Sequence, residues 1–487
     1  MRMRNCVLCV VLLALTGCTS MAPDYTRPQA PVSDSWPGGP AYGEIESGPA
    51  GRQVADVPWR EFFADDNLQQ VIALALQNNR DLRQTALNVQ KVRARYRIRR
   101  AELFPQLDAG GSYSKRRIPD VSGFGEALTL EEYDANLGVS SWEIDFFGRV
   151  RSLEDQALEE FFATEEARRS ARIALVGDVA RTYLTLGADR ERLAVAEQTL
   201  KSRRDTYRLT RKRFDVGVAS ALDLRQAQTS VESTRVDIGR YTTLVAQDEN
   251  ALRLLVGSDV PAGLLPAGAP DAVAAVKPLP AGLPSTVLQR RPDILAAEHR
   301  LQGANADIGA ARAALFPRIS LTAAAGFASS QLGALFSSDA RAWSFSPRVD
   351  LPIFTAGRLR AELQVSKVDR EIALAAYENA IQAAFREVAD ALAERGTLDE
   401  QLSAQQALAD AAAEAYHLSD ARFRKGIDSF LNVLDSQRSF YGARQGLITL
   451  QLASLANDVT LYQVLGGGAA PNEKPGLPPT AEPDRKE

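Results

Sequence analysis

The residue best placed for covalent chemistry in this chain is Cys18. It follows Leu15-Thr16-Gly17, and ahead of it lie Arg2, Arg4 and an apolar run from Val7 to Leu15. A positive start, a short apolar stretch and small residues before a cysteine form the pattern of a bacterial lipoprotein signal, whose thiol is acylated at cleavage. The run is too short to span a bilayer as a helix. A plain secretory signal with an incidental cysteine is the rival reading, and Thr16 and Gly17 at the cut favour the lipoprotein one. We expect a signal peptide over 1–17 and a lipidated Cys18 that tethers the mature chain to a membrane from the periplasmic side.

Little other chemistry is written here. Cys6 and Cys9 leave with the signal, so the mature chain has no disulfide. The histidines are His299 and His417, and neither stands in a metal-ligand cluster. There is no HExxH, phosphate loop or nucleophile elbow, and Gly466-Gly467-Gly468 reads as a helix stop. Catalysis, a metal and a cofactor are therefore not expected. A net charge of −4, from 57 basic and 61 acidic residues, argues against nucleic acid. No later apolar run is long enough for a transmembrane helix.

The elements that carry function come from a unit written twice. Arg80-Asp81-Leu82 … Leu103-Phe104-Pro105 recurs as Pro292-Asp293-Ile294 … Leu315-Phe316-Pro317, and Arg213-Phe214 … Gly217 recurs as Arg422-Phe423 … Gly426. Their order and spacing indicate a duplication. The first repeat is expected over 63–257 and the second over 285–466. An extended segment at 18–62, a Pro/Ala/Gly-rich linker at 258–284 and a tail at 467–487 flank them.

Each repeat reads helix, strand, strand, long helix, tip, helix. A helix is expected over 66–102, capped by Asp65 or Asp66 and ended by Pro105. Near Leu107, apolar or small residues alternate with polar ones, and the alternation returns at 132–141, 318–327 and 343–351. Gly/Ser-rich loops at 117–130 and 329–341 separate the members of each pair. Such strands suit a soluble sheet with one wet face. They equally suit transmembrane barrel strands of about 9–11 residues, and these are favoured by the outer-membrane address that Thr19, in place of Asp after the cysteine, implies by likeness to sorted lipoproteins. Four strands cannot close a barrel, since bacterial barrels begin at about eight, so several chains must contribute.

Heptad steps mark the long helices. Val179, Leu186, Leu193, Leu200, Tyr207 and Phe214 are matched by Val388, Leu402, Ala409, Tyr416 and Phe423, with Arg395 breaking the second series. A helix over 149–214 would be roughly 100 Å long. Its antiparallel partner at about 218–256 covers only the distal part, and the helix at 66–102 could stack on that partner to complete the length. The tip glycines, Gly217 and Gly426, are expected to need positive φ.

Together the lipobox, the duplication, the tip words RFDVGVASALDL and RFRKGIDSFLNVLDSQRSFYGARQ, Ala22-Pro23-Asp24-Tyr25 and Leu-Gln-Arg-Arg-Pro-Asp-Ile at 288–294 resemble the outer membrane factor family, typified by TolC and OprM, in its NodT lipoprotein branch. The resemblance implies a mixed α and β membrane protein. It would be a homotrimer with a twelve-stranded transmembrane β-barrel, four strands per chain, continued by a twelve-helix periplasmic α-barrel of coiled-coil hairpins. It also implies a periplasmic adaptor protein and an inner-membrane pump of the resistance–nodulation–division type. Thr19 after the cysteine, by likeness to sorted lipoproteins, points to the outer membrane.

The same likeness supplies candidate sites. Asn432 and Asp435, one turn past the second tip, would line the narrowest part of the channel. Asn432 departs from an acidic residue, and Asp223, its repeat counterpart, would restore charge. Arg422 and Arg424 would pair with acids of the neighbouring hairpin and hold the tips shut. Gly217, Val218, Ala219, Ser220, Gly426, Ile427 and Phe430 would contact the adaptor. The implied function is a passive efflux duct for small molecules. A duct for type I protein secretion and a lipid-anchored coiled-coil stalk are the alternatives.

Overall fold

The computed structural model describes residues 20–42, 54–119, 127–268 and 285–469. Cys18 and the signal, the centres of the first strand loop and of the inter-repeat linker, and the tail beyond 469 lie outside these residues. In chain order the elements are α1 (Trp59–Phe62), α2 (Asp66–Asn78), α3 (Arg80–Ala101), β1 (Asp108–Ile118), β2 (Leu128–Glu143), α4 (Arg149–Asp215) and α5 (Ala221–Val256). Then follow α6 (Pro292–Ala313), β3 (Arg318–Ser329), β4 (Arg341–Asp350), α7 (Arg358–Arg424) and α8 (Phe430–Val464). Both α4 and α7 have 67 residues, and they start and end 209 residues apart.

Two compact units result, and each draws on both repeats. One comprises the chain up to Gln29, Leu87–Glu165 and Ala296–Asn379; the other comprises Ala30–Ala86, Glu166–Leu295 and the chain from Ala380 onward. The first holds a four-stranded antiparallel sheet in the order β1-β2-β3-β4. Its register aligns the alternating residues of all four strands. Ala109, Leu137, Ala325 and Trp343 form one row, with Val139, Ala323 and Phe345 beside it. Neighbouring rows of the other parity hold Asn136 and Asp134 opposite Gly110 and Ser112. The apolar row is open to the surroundings: Trp343 is 81% exposed and Leu137 about half exposed. Farther along that same face Lys115 pairs with Glu131, next to the row of Tyr113 and Tyr133. Among the described residues the outer edges of β1 and β4 have no partner strand.

In this unit the N-terminal strap lies along one face of α6. Arg312 donates to the carbonyl of Met21 at 3.0 Å and Asn305 to that of Pro23 at 2.7 Å. Arg27 forks onto Glu298 with two bonds of 2.7 Å, and Tyr25 donates to the same carboxylate at 3.1 Å. The Ala-Pro-Asp-Tyr word is thus the docking edge of the strap. Glu298 is buried, and these donors compensate its charge.

The single helix expected over 66–102 is two. Asp65 caps α2, its side chain accepting from the Leu68 amide. At Asn79 the backbone turns extended, with ψ at 128°. The Asn79 side chain accepts from the Leu82 amide at 2.8 Å and so starts α3 anew. Its Nδ2 donates to the Leu255 carbonyl at 2.8 Å, near the end of α5. Here the capping preference of asparagine outweighs the helical periodicity on either side.

Arg291 does the equivalent work in the second repeat. Standing just ahead of α6 as Asn79 stands ahead of α3, it donates to the Val464 carbonyl at the end of α8 at 2.7 Å. Its other donors fork onto Asp293 at 3.0 and 2.7 Å and reach Glu387 of α7 at 2.9 Å. The helices so fastened are followed by Gly257 and Gly466, both left-handed, with φ of 74° and 76°. Each repeat therefore closes by the same contact, made once by an amide and once by a guanidinium. The Arg-Arg-Pro-Asp word encodes the charged version.

Arg395, the heptad break, also has a structural reason. It pairs with Asp458 of α8 at 2.7 Å. Replacing Arg291 by Ala is expected to cost about 2–3 kcal/mol, because a charge-assisted bond is lost and the Val464 carbonyl is left without its donor. Asn79→Ala should cost about 1–2 kcal/mol through the lost cap. Hydrogen exchange at residues 459–466 and 251–257 would read each root separately; equal loosening of both roots by either variant would contradict the assignment.

Candidate functional site

Two regions carry the features that a duct requires: the open sheet and the hairpin tips. The tips share one backbone design. Past α4, Gly217 takes φ of 76°, its amide donates to the Phe214 carbonyl at 2.9 Å, and the Val218 amide donates to Arg213 at 2.8 Å. Past α7, Gly426 takes φ of 74°, with matching bonds to Phe423 at 2.9 Å and from Ile427 to Arg422 at 3.0 Å. Any residue with a Cβ would strain either turn.

The side chains that fix the two turns differ. At the first tip Ser220 and Asp223 form a capping box on α5. The Asp223 amide donates to Ser220 Oγ at 3.1 Å, and the Ser220 amide donates to Asp223 Oδ2 at 3.0 Å. The carboxylate of Asp223 is thus engaged at the helix start. At the second tip Ser429 occupies the N-cap of α8 without a side-chain bond, and Asn432 stands where the first tip has Asp223. The lock is instead Arg422, which forks onto Asp428 across the turn at 2.7 and 3.1 Å. Arg424 pairs with Asp420 one turn back at 2.7 Å. Both guanidiniums are taken up inside their own hairpin, unlike the expected pairing with a neighbouring hairpin.

Asn432 and Asp435 lie exposed on α8. The Asp435 side chain is 63% exposed, with Arg438 as a loose partner at 3.8 Å. Phe430 departs from the expectation of an exposed contact residue. It is 6% exposed and packs with Ala227, Phe423, Val433 and Leu434. Burying an aromatic ring under the turn gains more than leaving it in water. Arg213 of the first hairpin stacks its guanidinium 4.3 Å from the Phe423 ring and donates to the Phe423 carbonyl at 3.2 Å.

Val218 and Ile427 are exposed, Ala219 is half-buried and Ser220 exposed. Two further residues, Leu222 at 65% exposure and Leu431 at 48%, complete a matched pair of apolar patches. They occupy the same place in each repeat, four residues beyond Val218 and Ile427. That spacing on a helix start was the signal available in the sequence. Of the two histidines, His299 sits 2.6 Å from Glu159 beside the Phe162 ring.

Residues 71–258 and 283–467 match the family model described as outer membrane efflux protein. Over 462 residues, 95% of each chain, the sequence is 51% identical to the probable efflux pump outer membrane protein TtgC of Pseudomonas putida. It is 44% identical to outer membrane protein OprJ of Pseudomonas aeruginosa, over 94% of this chain and 95% of that one. The fold is similar to the open-state MtrE outer membrane channel of Neisseria gonorrhoeae. The TM-score is 0.84 at 37% identity, across 93% of this chain and 99% of that one.

The guanidinium of Arg422 holds the Asp428 carboxyl below the usual carboxylate range. A carboxyl whose pKa is lowered on folding stabilises the turn above the ordinary value and loses that effect as pH falls through the lowered one. The Asp428 carboxyl carbon, followed by NMR, should titrate below the ordinary value of about 3.9 and return to it in Arg422→Gln. An ordinary midpoint in the parent would contradict the lock.

Proposed function

The chain belongs to the outer membrane efflux protein family, and we propose that it serves as the passive export duct of a three-part pump for small organic molecules. As a member of that family it is an outer-membrane channel rather than a member of an enzyme family. The observation that carries the reading is the sheet. One row of side chains crossing all four strands is apolar and uncovered, the other face is polar, and among the described residues both edges are unpaired. In hydrocarbon an apolar outer face is favourable, but unpaired edge N–H and C=O groups are not. Three chains would supply twelve strands and close the barrel. The long hairpins would line a periplasmic passage.

The finer features belong to the same reading. Acylated Cys18 would anchor the strap that docks on α6. The patches of Val218 with Leu222 and of Ile427 with Leu431 would seat a periplasmic adaptor, which couples the duct to an inner-membrane pump. Asp435, from each of three copies, would set a ring of carboxylates near the tips and favour cations. The relatives carry names that refer to toluene and antibiotic efflux, and apolar or amphipathic organic solutes are the cargo we assign.

Purified protein in a planar bilayer should conduct ions with a cation preference that Asp435→Ala reduces. In cells lacking their own duct it should restore solvent tolerance. The double variant Leu222→Glu, Leu431→Glu should conduct normally and restore nothing, and Cys18→Ser should lose acyl labelling. Absence of conductance would contradict the duct; full rescue by the double variant would place the adaptor elsewhere.

A further inference from the structure

Asp248 of α5 is an acid with no cationic partner of its own. It is half-buried, and its Oδ2 is shut off from solvent without a hydrogen-bond partner. Across the hairpin on α4, within hydrogen-bonding reach, stands a second carboxyl, Asp189, which is only 3% exposed. Asp189 is already neutralised by Arg192, which also donates to Thr449 of α8 at 3.1 Å. Glu249, the next residue on α5, is directed to Arg190 at 2.8 Å. The charges that bear on Asp248 are Asp189 and Arg192; none from α2 or α8, the other helices packed on α5, reaches it among the described residues.

The second repeat shows what this position requires. Asn457 of α8 occupies the place of Asp248, 209 residues on, and is 2% exposed. Its Nδ2 donates across to α7, to the Ala391 carbonyl at 3.0 Å and to Glu394 Oε2 at 3.0 Å. A permanently neutral donor thus faces a carboxylate there. An aspartic acid can imitate that donor only when it carries a proton.

We propose that Asp248 and Asp189 bind one proton between them, and that this proton fastens α5 to α4 in the first hairpin. With the proton on Asp248, its Oδ–H donates to an Asp189 oxygen, and the trio of Asp248, Asp189 and Arg192 is neutral. Without it, two carboxylates share one guanidinium in a poorly hydrated place, and they repel. The proton comes from solvent, and no other bond changes. Burial, and then the Asp189 charge, push the Asp248 carboxyl up to about 6. The paired hairpin therefore holds more protons than its separated helices between the ordinary aspartate value and about 6. Its extra stability is complete below that window and is lost as pH rises through about 6. The first hairpin is fastened by acid, whereas the bond of Asn457 to the Ala391 carbonyl in the second needs no proton.

Hydrogen exchange of the assembled protein, corrected for intrinsic rates, tests this at residues 185–193 and 244–252. Protection of the parent should rise by about tenfold at most from about pH 7.5 to about pH 5. Asp248→Asn, which supplies the neutral donor permanently, should be protected at both pH values and show no such rise. In the infrared, a protonated-carboxyl C=O band of the parent at about pH 5 should vanish in Asp248→Asn. A parent without the pH response, an unaltered band, or an Asp248→Asn protein that is less protected or fails to assemble would overturn the proposal.

Discussion

Backbone hydrogen bonding in hydrocarbon is the constraint on which this structure depends. A bilayer offers no water to an unpaired strand edge, and each orphaned N–H or C=O there costs several kcal/mol. Among the described residues four strands form one antiparallel sheet, and the outer edges of β1 and β4 are left unpaired. It cannot satisfy them alone, since four strands fall short of the smallest known barrels. The same residues that leave the edges open also display an uncovered apolar row that includes Trp343 and Leu137. A sheet of this kind is stable in a membrane only when other copies complete it. Oligomerisation is therefore a condition of insertion and not an addition to it.

Duplication provides the rest of the plan, and its locks have diverged where the backbone has not. The roots of the repeats are tied by Asn79 in one and Arg291 in the other. The tips repeat a glycine turn, held by a capping box at Ser220 and Asp223 in one and by Arg422 with Asp428 in the other. Between root and tip, Asp248 stands where the other repeat has Asn457. At the root, and again between root and tip, a neutral contact has an ionisable counterpart, in the second repeat at the root and in the first repeat between. At the tips both locks use a carboxylate, and only the second sets it against an arginine. The two hairpins are thus alike in shape and unlike in their response to salt and acid.

Much of this was legible in the residues. The strand faces were readable from alternation, because a period of two survives any choice of register; the register itself confirmed which rows meet. Equal helix lengths and the tip glycines followed from the repeat spacing. The break at Asn79 was not legible, because the helical periodicity runs through it and the asparagine that caps α3 is also held by a carbonyl 176 residues away. Phe430 was taken for an exposed contact residue because a tip position says nothing of the ring packed against it, here Phe423. Within this chain Arg422 and Arg424 pair inside their own hairpin; a charge beside a turn has local and distant partners, and sequence does not rank them. The carboxyl pair of Asp189 and Asp248 was hidden altogether, since the two lie on different helices and nothing in either segment marks them.

Closure of the sheet by other copies can be read directly by placing cysteines along its two open edges. Cys6 and Cys9 belong to the expected signal and Cys18 to the expected anchor, so no other native thiol competes. Single substitutions at positions 109–117 of β1, each combined with one at 342–350 of β4, would be oxidised in intact outer membranes and separated without reductant. The account predicts disulfide-linked species of two and three chains for the pairs in register, and nothing larger. Absence of any inter-chain disulfide along these edges, or a ladder that continues beyond three chains, would contradict it.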